Sequence, residues 1–314
     1  MPISQSRFNL AKLLLGLSIF GVGQGTCTGC RTLRGSLPDG RLVKARQLSL
    51  RGADLLRRSR YDDAQTLFSE AIHHCPNDER AHWGYATTLW ESNRRQEAIA
   101  HMREAVRLSG SNPEYMVRLG EMYLAENDPA GAKLQAEQVL ESHRDRADAW
   151  ALLGDSCAQS KEPNEAIESY HRALLAQPDY PRVQLAVAMM YRQIGRPNRS
   201  LATLDRMVDM HPSTCAKGEA QLVRALALID LERRDEALLA LKSATDGLPT
   251  DNPQRHIDLV HAQCQLGELV EARISLGRLL QQYPDHPDAR QLQTELDSSF
   301  AYLAEQPSSQ QLFR

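Results

Sequence analysis

The feature that most constrains this chain is a pair of small residues, twelve positions apart, that recurs along most of its length. The pairs are Gly52 and Ala64, Ala86 and Ala98, Gly120 and Ala132, Gly154 and Ala166, Ala188 and Ser200, and Ala225 and Ala237. The first five recur every 34 residues, and the next interval is 37. A seventh pair, Val260 and Ala272, has a larger first member. Self-similarity at such a period indicates a stack of one repeated supersecondary unit.

The stretch 147–180 shows what the unit is. Apolar or small residues at helical spacing share one face of a first helix: Trp150, Leu153, Gly154 and Cys157. A second helix has its own face: Ala166, Ile167, Tyr170, Ala173 and Leu174. These i, i+3, i+4 spacings predict two amphipathic helices joined by a tight turn. One such hairpin cannot bury this apolar surface alone, so it needs neighbours.

Two further columns support the repeat. A mostly small or aliphatic column lies seven positions after the second small residue and reads Ala71, Ala105, Val139, Ala173, Met207, Ala244 and Leu279. A column of helix-stopping residues reads Pro76, Gly110, Arg144, Pro178, Pro212, Pro249 and Pro284. Small residues let two helices approach closely, and proline cannot continue the helical hydrogen-bond ladder.

These columns, with Trp150, Gly154 and Pro178 in place, resemble the tetratricopeptide repeat. The resemblance implies an all-α fold, a right-handed superhelical solenoid of about seven hairpins. The copies span 45–78, 79–112, 113–146, 147–180, 181–214, 218–251 and 253–286. Departures are Arg144, Arg224 and Gln263, and an insertion at 215–217 predicts a bend there. An amphipathic helix over 287–304 is expected to cap the stack, with a frayed tail over 305–314.

The N-terminal residues predict export. Arg7 and Lys12 precede an apolar run of about ten residues, which is shorter than a stable membrane span. Three interpretations stay open: cleavage near Gly23 or Gly25, an uncleaved anchor, or a lipoprotein signal. The sequence of residues 27–30, CTGC, resembles a bacterial lipoprotein box in which Cys30 becomes the lipidated N-terminus, although the cysteine at its first position departs from the usual aliphatic residue. Residues 1–30 are therefore the predicted signal, residues 31–44 a short tether, and the location the periplasm or cell envelope.

No catalytic or metal site is predicted. The sequence has no Walker loop, no HExxH and no GxSxG motif. His73, His74 and Cys75 are adjacent on a helix and point about 100° apart, so they do not converge on one ion. His261 and Cys264 are better spaced but read as ordinary helix residues. We expect no enzyme activity, no cofactor and, at a net charge of −3, no nucleic-acid partner.

In tetratricopeptide repeats the first helices line a concave groove, and the resemblance transfers this geometry to residues outside the repeat core. The predicted ligand-groove residues are Arg80, Trp83, Trp90, Glu91, Glu114, Arg118, Glu121, Asp148, Asp155 and Arg192; Arg46 and Ser49 belong to the wider candidate set. Trp83 and Trp90 lie on one stripe, and aromatic residues dominate binding hot spots. The alternative is that they pack against a neighbouring repeat. The cluster Glu114, Glu121, Asp148 and Asp155, interrupted by Arg118, would favour a basic ligand or would simply be solvated.

A surface without catalytic residues predicts a protein–protein interaction scaffold. It would bind a peptide segment or a partner subunit in the groove. The resemblance to bacterial lipoproteins built from such repeats implies a role in envelope assembly, with the membrane involved only through an N-terminal lipid anchor. Two alternatives remain: a structural spacer or self-associating subunit, and a regulatory component of an enzyme complex.

Overall fold

The structure, a computed structural model, describes residues 40–210, 218–249 and 252–305. Within these ranges every regular element is a helix. The helices are α1 (Gly40–Arg57), α2 (Tyr61–His74), α3 (Glu79–Glu91), α4 (Arg95–Leu108), α5 (Pro113–Ala125), α6 (Pro129–Ser142), α7 (Ala147–Gln159), α8 (Pro163–Ala176), α9 (Pro181–Gln193), α10 (Pro197–Met210), α11 (Glu219–Asp230), α12 (Arg234–Thr245), α13 (Pro253–Gln265), α14 (Leu269–Gln282) and α15 (Pro287–Glu305).

The helices pair into seven hairpins, α1 with α2 through α13 with α14, and α15 packs on the last of them. The expected all-α solenoid of seven repeats with a capping helix is confirmed. Residues 41–305 lie in one compact unit. The predicted signal segment, Cys30, the insertion at 215–217 and the tail after 305 fall outside the described residues. None of the described helices combines the length and the hydropathy that a membrane span requires.

Two predicted boundaries differ from the structure. The tether was expected to reach residue 44, but α1 already begins at Gly40. Leu42 and Val43 in its first turn are about half exposed. They therefore do not belong to the regularly spaced buried residues from which the repeat was recognised. The capping helix includes Glu305, one residue beyond its expected end.

The small columns pack as the sequence predicts. Both members of all seven twelve-residue pairs are buried, and so is the third column from Ala71 to Leu279. A methyl group at Gly120 would lie 2.4 Å from Leu152 Cδ2, and one at Gly154 would lie 2.5 Å from Tyr170 Cδ1. These glycines therefore let a large side chain from a neighbouring helix fill the space that their own side chain would take.

Trp150 was expected to be a core residue, but it lies at the edge of the core. Its ring is only partly buried, its Nε1 donates to the Arg144 carbonyl at 2.8 Å, and Arg172 lies 4.7 Å from the ring centroid. Leu152, which is 2% exposed, fills the interior position of α7 instead.

A third regularity has no counterpart in the predicted columns. The turn inside each hairpin contains one residue with positive φ: Ser59, Asn93, Asn127, Lys161, Gly195, Glu232 and Gly267. A left-handed residue after a helix satisfies its last carbonyls and reverses the chain. Five different residue types occupy this column, so composition alone gave no signal for it.

Candidate functional site

A cavity of about 560 Å³ opens between the first helices of the first three hairpins. Its lining comes from α1, α3 and α5, from Phe68 of α2 and from the turn after α2: Leu42, Arg46, Ser49, Leu50, Ala53, Phe68, Cys75, Asn77, Asp78, Glu79, Arg80, Trp83, Glu114, Tyr115 and Arg118. We call this cavity the N-terminal pocket. Four of the ten predicted groove residues line it, Arg80, Trp83, Glu114 and Arg118, and so do Arg46 and Ser49 from the wider set.

Phe68 forms the floor of the N-terminal pocket and is 1% exposed. A methyl group at Gly84 would lie 2.2 Å from Phe68 Cζ, and one at Gly52 would lie 2.9 Å from its Cε1. The two glycines therefore make room for the phenylalanine ring between α1 and α3. Gly84 was missed at the sequence level, although a glycine inside a helix is a recognised sign of close packing.

Trp83 forms part of the wall and is half-buried. Its ring stacks on Tyr115 of the next hairpin, with centroids 6.1 Å apart and planes inclined by 22°. Burial raises the pKa of Tyr115, so this phenol stays neutral over the physiological range. Trp83 packs against a neighbouring repeat and also lines the pocket, so its predicted contact with a ligand stays a prediction. Tyr115 was missed because it lies outside the repeat columns.

Some charges in the pocket already have partners. Asp78 accepts hydrogen bonds from Ser49 Oγ at 2.9 Å and from the Arg80 and Ala81 amides at 3.1 and 3.3 Å, which caps α3. Arg118 Nη1 donates to Glu121 at 2.9 Å.

Other charges in the pocket remain available. Arg80 has only a 3.9 Å approach to Glu79, a distance longer than a hydrogen bond. Among the residues that the structure describes, Arg46 and Glu114 form no side-chain ion pair. The pocket therefore presents two arginines, Arg46 and Arg80, and two glutamates, Glu79 and Glu114, with unused binding capacity.

Beyond the third hairpin, most predicted groove charges neutralise one another. Asp148 pairs with Arg146 at 2.9 Å, and Asp155 with Arg182 at 2.8 Å. Burial acts to raise the pKa of Asp148, but the hydrogen bond and charge of Arg146 outweigh it and lower that pKa.

The same pairing continues along the stack. Asp155 also accepts from the Tyr170 hydroxyl at 2.8 Å. Arg192 pairs with Asp230 at 2.7 Å, linking the first helices on either side of residues 211–217. Since Glu121 is held by Arg118, only Glu114 of the predicted acidic cluster has no internal partner among the described residues.

Trp90 and Glu91 lie outside the N-terminal pocket. The Trp90 ring is partly buried, and the Arg95 guanidinium carbon lies 4.0 Å from its centroid. Glu91 is exposed and lines a shallow recess beside Tyr61. Trp83 and Trp90, alike in the sequence, therefore differ in what they contact.

One set of described residues has metal-ligand proximity: the ligand atoms of Cys157, Glu162 and Glu165 lie within 4.8 Å of one another. Glu162 occupies the N-cap position of α8 without a side-chain capping hydrogen bond, Glu165 lies in the first turn, and Lys133 approaches Glu162 at 4.0 Å. Acidic residues at a helix N-terminus interact favourably with its dipole without any metal.

Three family models described as tetratricopeptide repeats match the chain. One matches residues 50–113, another 89–155 and 228–296, and the third 150–258. The matched ranges together run from 50 to 296, which covers all but the first part of α1 and the last part of α15.

Two curated relatives are similar over part of the chain. The human protein O-mannosyl-transferase TMTC3 is 25% identical over 195 residues, which is 62% of this chain and 21% of that protein. The peroxisomal targeting signal receptor of Kluyveromyces lactis is 28% identical over 118 residues, 37% of this chain and 21% of that protein. The chain thus matches about a fifth of the length of each.

Among solved structures, a tetratricopeptide repeat protein from Parabacteroides merdae superimposes with a TM-score of 0.67. The alignment covers 81% of this chain and 97% of that protein at 12% sequence identity. At this identity the similarity concerns the fold alone.

Proposed function

We propose that this chain, which is built of tetratricopeptide repeats, is a non-catalytic scaffold that binds a peptide segment of a protein partner in the N-terminal pocket. The observation that carries the proposal is the contrast along the first helices. In the first three hairpins, a half-buried tryptophan lies beside unpaired charges. From the fourth hairpin onwards, the corresponding charges are bound to one another.

The pocket has the composition of a recognition site. It combines an aromatic wall, Trp83 with Tyr115, and arginines that reach solvent. Tryptophan, tyrosine and arginine are the residues enriched in binding hot spots. A volume of about 560 Å³ lies within the range of pockets that hold small ligands or a few side chains.

The relatives are consistent with this role but do not define it. One is, by its name, a receptor for a targeting signal, and we transfer to this chain only the idea of recognising a segment of another protein. The other is named a transferase, but the match covers 21% of it, and we propose no transferase activity here.

The proposed setting is the cell envelope, reached through the signal in residues 1–30 and with Cys30 as a lipid anchor. This part of the proposal rests on the sequence. Metabolic palmitate labelling tests the anchor: label on the wild-type protein that disappears in Cys30→Ser is the expected result, and an unlabelled wild type would contradict it.

Trp83→Ala and Trp90→Ala provide a matched test of the site. Both side chains are half-buried on α3, but only Trp83 lines the pocket. After crosslinking in the native cell envelope, the Trp83 variant should lose the partner recovered with wild type, while the Trp90 variant retains it. Equal recovery by both, at unchanged helical content, would exclude the pocket as the binding site.

Self-association is a second candidate, favoured by one observation. A recess of about 690 Å³ lies between α12 and α14, and Leu239 on its rim is 70% exposed. Sedimentation of wild type and Leu239→Ser over a concentration series separates the two functions. A concentration-dependent mass that the substitution abolishes would favour association through this recess.

A further inference from the structure

The second residue of each of the first six repeats is charged, and these residues form a row along the first helices. In the first three hairpins these residues are Arg46, Arg80 and Glu114, spaced 34 residues apart. The row continues with Asp148, Arg182 and Glu219, which pair with Arg146, Asp155 and Arg255 respectively. The sign of the charge therefore changes inside the N-terminal pocket, between α3 and α5, where the row still has unused charges.

Apolar surface lies in the same pocket as this change of sign. Trp83 of α3 stacks on Tyr115, the residue next to Glu114, and Leu50 of α1 lines the pocket while 59% exposed. Asp78 and Arg118 contribute little to recognition, since their charged groups are already hydrogen-bonded. The pocket thus has two exposed arginines at α1 and α3, with Glu79 3.9 Å from Arg80, an apolar wall, and Glu114 without an ion pair at α5.

The spacing of these ends sets the length of a matching ligand. Packed helices lie roughly 8–10 Å apart. An extended chain advances about 3.3 Å per residue. Groups that face Arg80 and Glu114 at the same time are therefore about three residues apart in an extended peptide, and so are groups that face Arg46 and Arg80.

We propose that the occupant of the N-terminal pocket is an extended protein segment with two acidic residues about three positions apart, a large apolar residue next to the second of them and a basic residue about three positions beyond that second acidic residue. The acidic side chains face Arg46 and Arg80, the apolar side chain contacts Trp83, and the basic side chain faces Glu114. This deepens the proposed function and rests on it. The arrangement fixes the order of charges across the pocket, and a segment of uniform charge would place like charges together at one end.

Three labelled peptides test this arrangement by fluorescence anisotropy with the full chain. The dipolar peptide is Ser-Glu-Gly-Gly-Glu-Phe-Gly-Lys-Ser, the acidic one has Glu in place of Lys, and the basic one has Lys in place of each Glu. All are acetylated and amidated, so only side chains carry charge. We expect the dipolar peptide to bind at least about tenfold more tightly than either uniform peptide, because one opposed charge pair becomes a like-charge pair in the acidic peptide and two do so in the basic peptide.

Charge-reversal variants show whether the preference arises in the pocket. Glu114→Lys should shift the preference to the acidic peptide, and Arg46→Glu combined with Arg80→Glu should shift it to the basic peptide. Glu141→Lys changes an exposed carboxylate on α6 outside the pocket and is the matched control, with no expected change of preference.

The outcomes separate this inference from the proposed function. Equal affinity for the three peptides, or a preference that the reversals do not move, overturns the charge arrangement. If no peptide binds while recovery of the native partner still depends on Trp83, the arrangement is wrong and the proposed function stands. If partner recovery is also independent of Trp83, both are wrong.

Discussion

His82 lies at the centre of a hydrogen-bond network inside the second hairpin. It is 7% exposed, its Nε2 lies 3.0 Å from the Pro76 carbonyl, and its Nδ1 lies 3.0 Å from His101 Nδ1. A carbonyl only accepts, so Nε2 carries the proton in neutral His82, and Nδ1 accepts from His101. Two doubly protonated rings would place hydrogens against each other. The network therefore joins α3 to α4 and to the turn that leads into the pocket, and it excludes the state in which both rings are doubly protonated.

The surroundings of His101 also oppose its protonation. Burial, followed by the nearby His82, lowers the pKa of His101 below 6.5; Glu97 and Glu104 oppose the shift, and Arg94 adds to it. The unfolded chain then takes up a proton at higher pH than the folded chain. The stabilisation is present above pH 6.5 and is lost as the pH falls through the folded pKa.

The predicted consequence is a melting temperature that falls as the pH drops below about 6.5. His101→Gln should reduce this dependence, since it removes the group whose protonation is suppressed. It should not abolish it, because burial also lowers the pKa of His171. His73→Gln, at an exposed position, is the control. If the melting temperature of His101→Gln depended on pH as strongly as that of wild type, the assignment of this dependence to His101 would be contradicted.

Two glycines allow a matched test of packing at the floor of the N-terminal pocket. Gly84→Ala places a methyl group 2.2 Å from Phe68 Cζ and should destabilise by about 1–3 kcal/mol. Gly277→Ala in α14 meets no atom within 4 Å and should stabilise by up to about 1 kcal/mol through helix propensity. Thermal unfolding followed by circular dichroism measures both. If the melting temperatures of the two variants shifted in the same direction, packing against Phe68 would not be the reason for a glycine at position 84.

At the scale of helices, the repeat columns explain much of the stack. The stop column lies two residues beyond the last residue of α2, α4, α6, α8 and α14, and the small columns are buried throughout. Both could be predicted because they depend on local spacing. The start of α1 could not, since Leu42 and Val43 face away from the core.

The capping helix should stabilise only its neighbours. Leu292 and Leu296 of α15 are buried in one cluster with Ile257, Leu276 and Leu279 of the last hairpin. In a linear stack each repeat depends on the adjacent one, so damage at the cap stays local.

Hydrogen exchange of Leu292→Asp tests this expectation. A buried unpaired carboxylate should lower protection in α13 and α14, while α3 to α8 keep wild-type protection. The control is Gln293→Asp, an exposed neighbour that adds the same charge without burying it. Loss of protection along the whole chain in Leu292→Asp would contradict a linear stack.

At the scale of the whole molecule, the first-helix surface divides into two parts. In its N-terminal part, charges and an aromatic wall remain available; further along, charges pair between hairpins, as in Arg182 with Asp155 and Arg192 with Asp230. The sequence identified the surface but not this division. The distinction depends on contacts between hairpins, such as the stacking of Trp83 on Tyr115, and on local contacts, such as the Arg95 guanidinium over the Trp90 ring. Repeat columns describe what each copy shares, so they miss such contacts.

The central claim is that the partner occupies the N-terminal pocket. A photoreactive amino acid at position 50 or at position 239 tests it in the native cells, because both leucines are exposed and line different recesses. Mass spectrometry of the crosslinked products identifies the bound segment. We expect the position-50 probe to capture one defined segment of a partner protein and the position-239 probe not to capture it. Capture of that segment only from position 239, or no defined segment from position 50, would contradict the claim.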